Sequence, residues 1–279
     1  MTLMKFSAVL SATLLLGACS TSPPPAATAA PASTASASRT AAPPPAASAS
    51  ASASQQNAVD PAAVQALKAM GTTLQSLRRY ELSLELTGER VLQDGQKLMH
   101  SAQADLQVAQ PNRLRAQTTT PTTRRVMYYD GKKVTLQFPD ANYYSAVDFS
   151  GTVGELVSRL KANYGVELPA ADLFAWGTAA APFDNLQSAM NAGQAIVGNT
   201  LCDHYAFRQA GIDWQIWLST GSNPLPLKLV VTNLGDEARP QSTTVFHWNL
   251  KPAFKDSSFT YVPRSGAKSI DMVPVKKQQ

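Results

Sequence analysis

Apolar and polar residues alternate most clearly in the run Tyr80-Glu81-Leu82-Ser83-Leu84-Glu85-Leu86-Thr87. Successive side chains of a strand point to opposite faces, so the tyrosine and the leucines share one face. The dipeptide Asp94-Gly95 follows, which is typical of the tight turn of a hairpin. The alternation then resumes from Ala102 to Val108. This part of the chain therefore predicts a half-buried antiparallel hairpin with one apolar face.

The same period of two returns further along the chain. Asp130-Gly131 predicts a second hairpin turn, and Ala210-Gly211 a third. Strands beside these turns, and one near the C-terminus, each offer large apolar side chains on a single face. We expect a curved sheet to use these residues as one apolar wall. The candidate lining residues are Leu82, Leu84, Leu136, Phe138, Trp214, Ile216, Phe246 and Trp248.

Helices are predicted in two places by spacing and by capping residues. Asp60 and Pro61 suit the start of a helix that continues to Leu77. A second helix is expected over 152–164, with Gly165 as its C-terminal stop. We also expect a short helix over 169–176 and another within 178–193. Many alternating strands with few helices indicate an α+β fold, an antiparallel sheet with helices on one side.

The N-terminal sequence predicts a targeting signal. Lys5 precedes a short apolar run, which ends in Leu16-Gly17-Ala18-Cys19. The run is shorter than the roughly 20 apolar residues of a membrane-spanning helix, so residues 1–18 are interpreted as a signal peptide. The ending resembles the lipobox of bacterial lipoproteins. That resemblance implies acylation of Cys19, and Ser20 after it favours the outer membrane by the sorting rule of enteric bacteria. The alternative is an ordinary signal peptide with an incidental cysteine.

Residues 19–58 and residues 59–279 differ sharply in composition. The first segment, after Cys19, is almost entirely Ala, Ser, Thr and Pro, and Arg39 is its one charged residue. Such a composition cannot bury enough apolar surface to offset the entropy of ordering, so we expect a disordered tether. All 19 acidic side chains lie in residues 59–279. That length suffices for one domain with a sizeable core.

Composition and motifs argue against several classes of function. The net charge is +5, without a dense basic patch, so nucleic-acid binding has little support. Cys202 is the only cysteine besides Cys19, which leaves no pair for an intrachain disulfide. The sequence has no P-loop, no G-x-S-x-G and no G-x-G-x-x-G. We therefore expect no nucleotide-dependent or hydrolase chemistry and no cofactor.

One cluster could suggest catalysis or metal binding. In Cys202-Asp203-His204 the first and third side chains share a strand face, so a Cys–His pair is conceivable. A buried cysteine beside a hydrogen-bonded histidine is the more common explanation of such a pair. His100, His204 and His247 are scattered and lack the spacing of metal ligands. The sequence is accordingly interpreted as a non-enzyme without a metal site.

The order of elements resembles a known family. The predicted order begins with an N-terminal helix and long hairpins, followed by the run from Tyr128 to Val134 and by Tyr143-Tyr144. A helical insert and further hairpins come after these. This is similar to a family of predicted bacterial periplasmic proteins in the lipoprotein-carrier superfamily of LolA, LolB and RseB. The resemblance implies an open half-barrel whose concave, apolar face is covered by helices. It supplies no catalytic residues.

The same resemblance implies a role, which we state as an expectation. The protein would be a lipid-anchored envelope protein, facing the periplasm, that holds a lipid or acyl chain between sheet and helices. A gating arginine like that of LolA is not assignable among Arg113, Arg115, Arg124 and Arg125. The alternative is an interaction or sensor module with a filled core, which would bind an envelope partner through edge strands or through Tyr143-Tyr144. Both interpretations stay open from sequence.

Overall fold

The fold is dominated by one sheet of twelve strands. The computed structural model describes residues 58–275 except Pro182 and Asp184. In spatial order the strands are β12-β6-β5-β4-β3-β2-β1-β11-β10-β9-β8-β7. Neighbours are antiparallel except β12, which pairs in parallel with β6. The two ends of the sheet do not meet, so the α+β prediction of an open, curved antiparallel sheet is confirmed.

The strands keep the order expected from the alternation. Their bounds are β1 Arg79–Val91, β2 Lys97–Ala109, β3 Arg113–Thr119, β4 Arg124–Tyr129, β5 Lys133–Phe138, β6 Tyr143–Asp148, β7 Ser188–Val197, β8 Thr200–Gln209, β9 Ile212–Ser219, β10 Pro226–Asn233, β11 Gln241–Asn249 and β12 Lys268–Ser269. The predicted turns at Asp94-Gly95, Asp130-Gly131 and Ala210-Gly211 each join two neighbouring strands. Gly95, Gly131 and Gly211 have φ of 84°, 95° and 80°, a region that favours glycine.

Two α-helices lie in the described part of the chain. Helix α1, Pro61–Ser76, begins at Asp60, whose carboxylate accepts a hydrogen bond from the Ala62 N–H at 2.8 Å. Helix α2, Val153–Tyr164, begins with a reciprocal pair of hydrogen bonds between Thr152 and Glu155 and ends at Gly165. Both helices match the prediction. None of the helices among these described residues is long and apolar enough to span a bilayer.

Strand register brings the candidate lining residues to one face. Leu82 pairs with Trp248 and Leu84 with Phe246 across β1 and β11. The same face continues through β10 into β9, where Trp214 and Ile216 belong to it. On the other side of β1 it continues through β2, β3 and β4 to Leu136 of β5. Both helices pack on this face, which we call the concave face.

Two predictions between Pro169 and Gly193 need correction. The helix expected over 169–176 is only a short 3-10 helix, Ala171–Phe174. The helix expected within 178–193 is wrong, because the segment leads into β7 at Ser188. Its many small residues carry little periodicity. Pairing with β8 decides the conformation there, since strand pairing overrides weak local preference.

The C-terminal segment covers the opposite, convex face of β3–β6 with residues 250–261 and then passes the β6 edge, where the Val275 N–H donates to the Asn163 carbonyl of α2 at 2.8 Å. A second 3-10 helix, Asp256–Phe259, contacts β3 and β4. Tyr261 then packs between Tyr128 and Tyr144, with ring centroids 5.4 and 5.2 Å away. Thr135 and Gln137, although polar and on the convex face, are 6% exposed. This half of the sheet is therefore covered on both faces.

Candidate functional site

An apolar pocket lies on the concave face where β9, β10 and β11 approach α1 and the first 3-10 helix. Its volume is about 120 Å³. Most of its wall is aliphatic or aromatic, and its polar members are Asp172, Gln209 and Thr244. The lining residues are Met70, Ala170, Asp172, Leu173, Trp176, Gln209, Ile212, Trp214, Ile216, Pro226, Leu229, Val231, Thr244 and Phe246.

Trp176 forms the helical side of the pocket. Its ring lies 5.7 Å from Phe183 and 5.9 Å from Trp214, so it bridges the 3-10 segment and the sheet. The Gln75 side-chain amide of α1 donates to the Trp176 carbonyl at 2.7 Å. Next to it, a Cβ on Gly71 would lie 2.6 Å from the Gly177 nitrogen. The absence of side chains at both glycines lets α1 press directly against the backbone that carries Trp176.

The sheet side of the pocket is fixed by aromatic packing. Phe207 of β8 stacks on Trp214 with centroids 4.1 Å apart. The Trp214 indole N–H donates to the Gln209 side-chain oxygen at 2.8 Å, which satisfies the only polar atom of that side chain. The Trp214 ring is thereby held with its apolar surface towards the pocket. Such a site offers burial and shape, with little directional bonding.

The structure divides the candidate lining residues into two groups. Trp214, Ile216 and Phe246 line the pocket. Leu82, Leu84 and Leu136 are at most 4% exposed, belong to the packed core and are not among the lining residues. Phe138 and Trp248 are half-buried and pack against that core. Ligand binding by any of these residues stays a prediction.

Several pocket residues were not among the candidates. Leu229 and Val231 lie on an alternating strand and Met70 on the apolar stripe of α1, so their sequence signal was present. Trp176 and Leu173 lie in a stretch without clear periodicity. Only the return of that stretch over the sheet brings them to β9.

The concave face of β3–β6 is filled instead of hollow. Leu156 and Leu160 of α2 are at most 2% exposed and lie in the core with Leu114 and Val134. Tyr129 is also fully buried, and its hydroxyl donates to the Gly151 carbonyl at 2.6 Å. Burial raises the pKa of Tyr129, so its hydroxyl stays protonated. Helix α2 is thus held on this half by apolar contacts, and the turn before it by two hydrogen bonds between Tyr129 and Gly151.

Arg125 is the one arginine among the earlier gating candidates that reaches the loop after α2. Its guanidinium donates to the Glu167 carbonyl at 2.8 Å. Burial lowers the pKa of Arg125, yet an arginine keeps its charge at neutral pH. Arg113 and Arg124 form ion pairs with Asp256 and Asp140 on the surface.

Cys202 and His204 are occupied by other partners. Cys202 is fully buried, and its thiol donates to the Thr200 carbonyl at 3.2 Å. Burial raises the pKa of the thiol, which disfavours the nucleophilic thiolate. The His204 ring stacks on Trp217 at 4.2 Å and its Nε2 lies 3.0 Å from the Gln215 side-chain oxygen. These contacts explain both residues structurally and give no support to catalysis.

The described residues include the candidate metal ligands but not the candidate lipidation site. Within residues 58–275, as far as they are described, no group of three His, Cys, Asp or Glu residues could hold a metal ion. Cys19, the signal peptide of residues 1–18 and the tether before Ala58 lie outside the described residues. Acylation of Cys19 therefore stays a prediction.

Comparison with protein families gives one match. A family model described as predicted periplasmic protein (DUF2092) matches residues 63–273. The expectation of a family of predicted periplasmic proteins is thereby confirmed. No protein with a curated description matches the sequence.

Comparison with solved structures finds proteins of similar fold, and three of them are described here. The lipoprotein LppX of Mycobacterium tuberculosis has a TM-score of 0.42 and 10% identity, over 70% of this chain and 98% of that one. The LolA superfamily protein NE2245 of Nitrosomonas europaea has a TM-score of 0.33 and 10% identity, over 71% and 97%. MucB in complex with MucA(peri) has a TM-score of 0.38 and 12% identity, over 72% and 60%.

Proposed function

The chain belongs to the family of predicted periplasmic proteins described as DUF2092, and from that premise we propose that its domain binds an apolar group without catalysing a reaction. The bound group would be part of a lipid or of an acylated protein. The observation that carries this proposal is the pocket between Trp176 and strands β9–β11, where the concave face is hollow instead of filled.

The size of the pocket limits what enters it. An engineered apolar cavity of about 150 Å³ accepts benzene, so a pocket of about 120 Å³ suits the end of an acyl chain better than a whole chain. Each methylene removed from water contributes roughly 0.8 kcal/mol. A few methylenes inside the pocket would give weak binding, and the rest of the ligand needs a further surface.

An adjacent groove offers that surface. It lies between α2 and the first 3-10 helix and has a volume of about 740 Å³. Asp172 lines both the pocket and the groove. Val157, Phe174 and Ala180 give the groove an apolar floor, while Arg159 and Lys161 lie along it. A ligand with its tail end in the pocket would lay the remainder along this groove.

The N-terminal sequence supports a proposal about the location. We propose that the mature protein lies at the outer membrane, facing the periplasm, anchored by acyl chains on Cys19. One chain holds a protein only marginally at a bilayer, whereas two or three hold it stably. Labelling with a radioactive fatty acid tests the anchor. Incorporation that disappears in Cys19→Ala supports it, and equal incorporation in both proteins contradicts it.

The test of ligand binding uses the full chain carrying Cys19→Ala, purified and examined by native mass spectrometry and organic extraction. We expect a co-purifying acyl species, or uptake of an added fluorescent apolar probe. Leu229→Phe should fill the pocket and weaken probe binding, while Leu201→Phe, at a residue 49% exposed and outside the pocket, should not. Absence of lipid and of probe uptake in the parent protein would contradict the proposal.

The second candidate function is an interaction or sensor module for an envelope protein. The filled half of the concave face, β3–β6 with α2, favours it, because the core there leaves little room for a ligand. A pull-down with one stoichiometric protein partner and no lipid would favour this candidate over the first.

A further inference from the structure

The two edges of the sheet differ in how far they are paired with other parts of the chain. At one end, the C-terminal residues Lys268 and Ser269 add strand β12 alongside the start of β6. At the other end lies β7, where Val59 forms a single bridge to Ala189. Within the described residues, no strand pairs with the outer side of β7 from Met190 to Val197. That edge offers a template for a further strand.

The hairpin of β7 and β8 determines which backbone groups face outward. Gly198, with φ of 56°, opens the two-residue loop between Val197 and Thr200. The pair that closes such a loop is hydrogen-bonded, and hydrogen-bonded and non-hydrogen-bonded pairs alternate from there. The N–H and C=O groups of Ile196 and Gln194 therefore point away from β8. A partner strand could pair with both residues.

The side chains along this edge offer no electrostatic obstacle. The run from Asn185 to Cys202 has no charged residue. Edge strands are commonly protected by lysine, proline or a bulge. Here the irregularity between Asn191 and Gly193 is such a bulge, yet it leaves Gln194–Val197 regular. Ile196 is 71% exposed and Met190 45% exposed, which adds apolar surface on either side of the bulge.

We infer that β7 pairs with β7 of a second copy of this chain, antiparallel and about a two-fold axis. Self-pairing suits a neutral strand, because no like charges meet across the axis. A two-fold interface uses the β7 edge of both copies and is therefore closed at two. The opposite edge is partly covered by β12, which disfavours further growth into a fibre. Since the paired segment is short, we expect a dissociation constant in the micromolar range.

Sedimentation equilibrium of the full chain carrying Cys19→Ala tests this inference. We expect a monomer–dimer equilibrium in the micromolar range. Ile196→Lys would place like charges at the interface, and Gln194→Pro would remove an outward N–H, which an edge strand tolerates. Each should weaken dimerisation at least about tenfold. Met99→Lys, at a residue 74% exposed on the β1–β2 hairpin, is the matched control and should leave dimerisation unchanged.

Cross-linking in cells gives an independent result, since it does not depend on purification. In the otherwise unchanged chain, Ile196→Cys treated with a short bismaleimide should give a covalent dimer, and Met99→Cys should not. Cys202 is fully buried and should not compete. A monomer at all concentrations, or a dimer that both β7 substitutions leave intact, would overturn the inference. So would cross-linking of Ile196→Cys exclusively to a different protein, which would assign this edge to a heterologous strand.

Discussion

The two halves of the sheet differ in how completely they are covered. Strands β3–β6 have α2 on their concave face and the C-terminal segment on their convex face. Among the described residues, strands β8–β11 are covered on the concave face by α1 and by residues 170–177, which we call the Trp176 segment, and the pocket lies here. Both halves use the same alternating strands. The two halves differ in the segment that packs on the concave face, which is the regular helix α2 in one half and the irregular Trp176 segment in the other.

This difference shows how one fold can be packed and hollow at once. Helix α2 presents four buried side chains to its half, Val153, Leu156, Val157 and Leu160. The segment opposite β9 is a 3-10 helix of four residues and the turn after it, which bury two large side chains, Leu173 and Trp176. Close packing requires interdigitating side chains along a regular surface. A short irregular segment supplies fewer of them, so a volume stays open beneath it.

The largest expected loss of stability comes from shortening a buried side chain in the packed half, β3–β6 with α2. Leu156→Ala removes a side chain that is 1% exposed, and we expect a loss of about 2–5 kcal/mol in the free energy of unfolding. Leu229→Ala, at the pocket wall, should cost clearly less, because Leu229 is only partly buried and already borders empty volume. Urea unfolding followed by circular dichroism measures both. Equal losses would contradict the contrast between the halves.

Substitutions at two helical glycines, Gly71 and Gly154, form a matched pair whose expected effect on stability is intermediate. Gly71→Ala would push a Cβ to 2.6 Å from the Gly177 backbone, and we expect a net cost of about 1–3 kcal/mol from overpacking. In Gly154→Ala of α2 the nearest atom is at 3.4 Å, so helix propensity should make that change neutral or stabilising by up to about 1 kcal/mol. Thermal unfolding compares the two. Stabilisation by both would mean that α1 does not press on the Trp176 segment.

The smallest expected effect on stability concerns Asp256, which lies in the C-terminal segment on the convex face of the packed half. Hydrogen bonds from Arg113 and then Arg79 hold the pKa of Asp256 below its usual value. A lowered folded pKa means that the contribution is present at neutral pH and is lost as the pH falls through the ordinary Asp range, near 4, and below. Asp256→Asn should therefore lower the urea midpoint slightly at pH 7 and no longer do so in acid.

Arg113→Gln provides the check on that assignment. It removes the ion pair of 2.6 Å to Asp256 and should reproduce most of the pH-dependent difference. Because Asp256 is exposed, the effect should stay below that of either core substitution. An Asp256→Asn difference that persists unchanged at low pH would assign its origin to packing instead of charge.

Much of the architecture was predictable because it depends on local pattern. The alternation from Tyr80 to Thr87 gave the strand and its buried face, and Asp60 with Pro61 gave the start of α1. Around Asn185–Val197 local pattern was weak, and a helix was expected where pairing with β8 forms a strand. Of the candidate lining residues, Trp214, Ile216 and Phe246 reach the pocket. Periodicity identifies which face of a strand is buried. It does not tell which part of that face is closely packed by a helix and which part borders a pocket.

The sequence by itself determined the alternation, the turns, the helix caps and the family, because each depends on residue types at short spacing. Only the tertiary structure decided which part of the concave face stays hollow, that Trp176 closes it, and that β7 is left as an edge while β12 covers β6. These features depend on how segments more than a hundred residues apart meet, as Gln75 meets Trp176. Such contacts are set by the shape and volume of the assembled layers, which no short stretch of sequence contains.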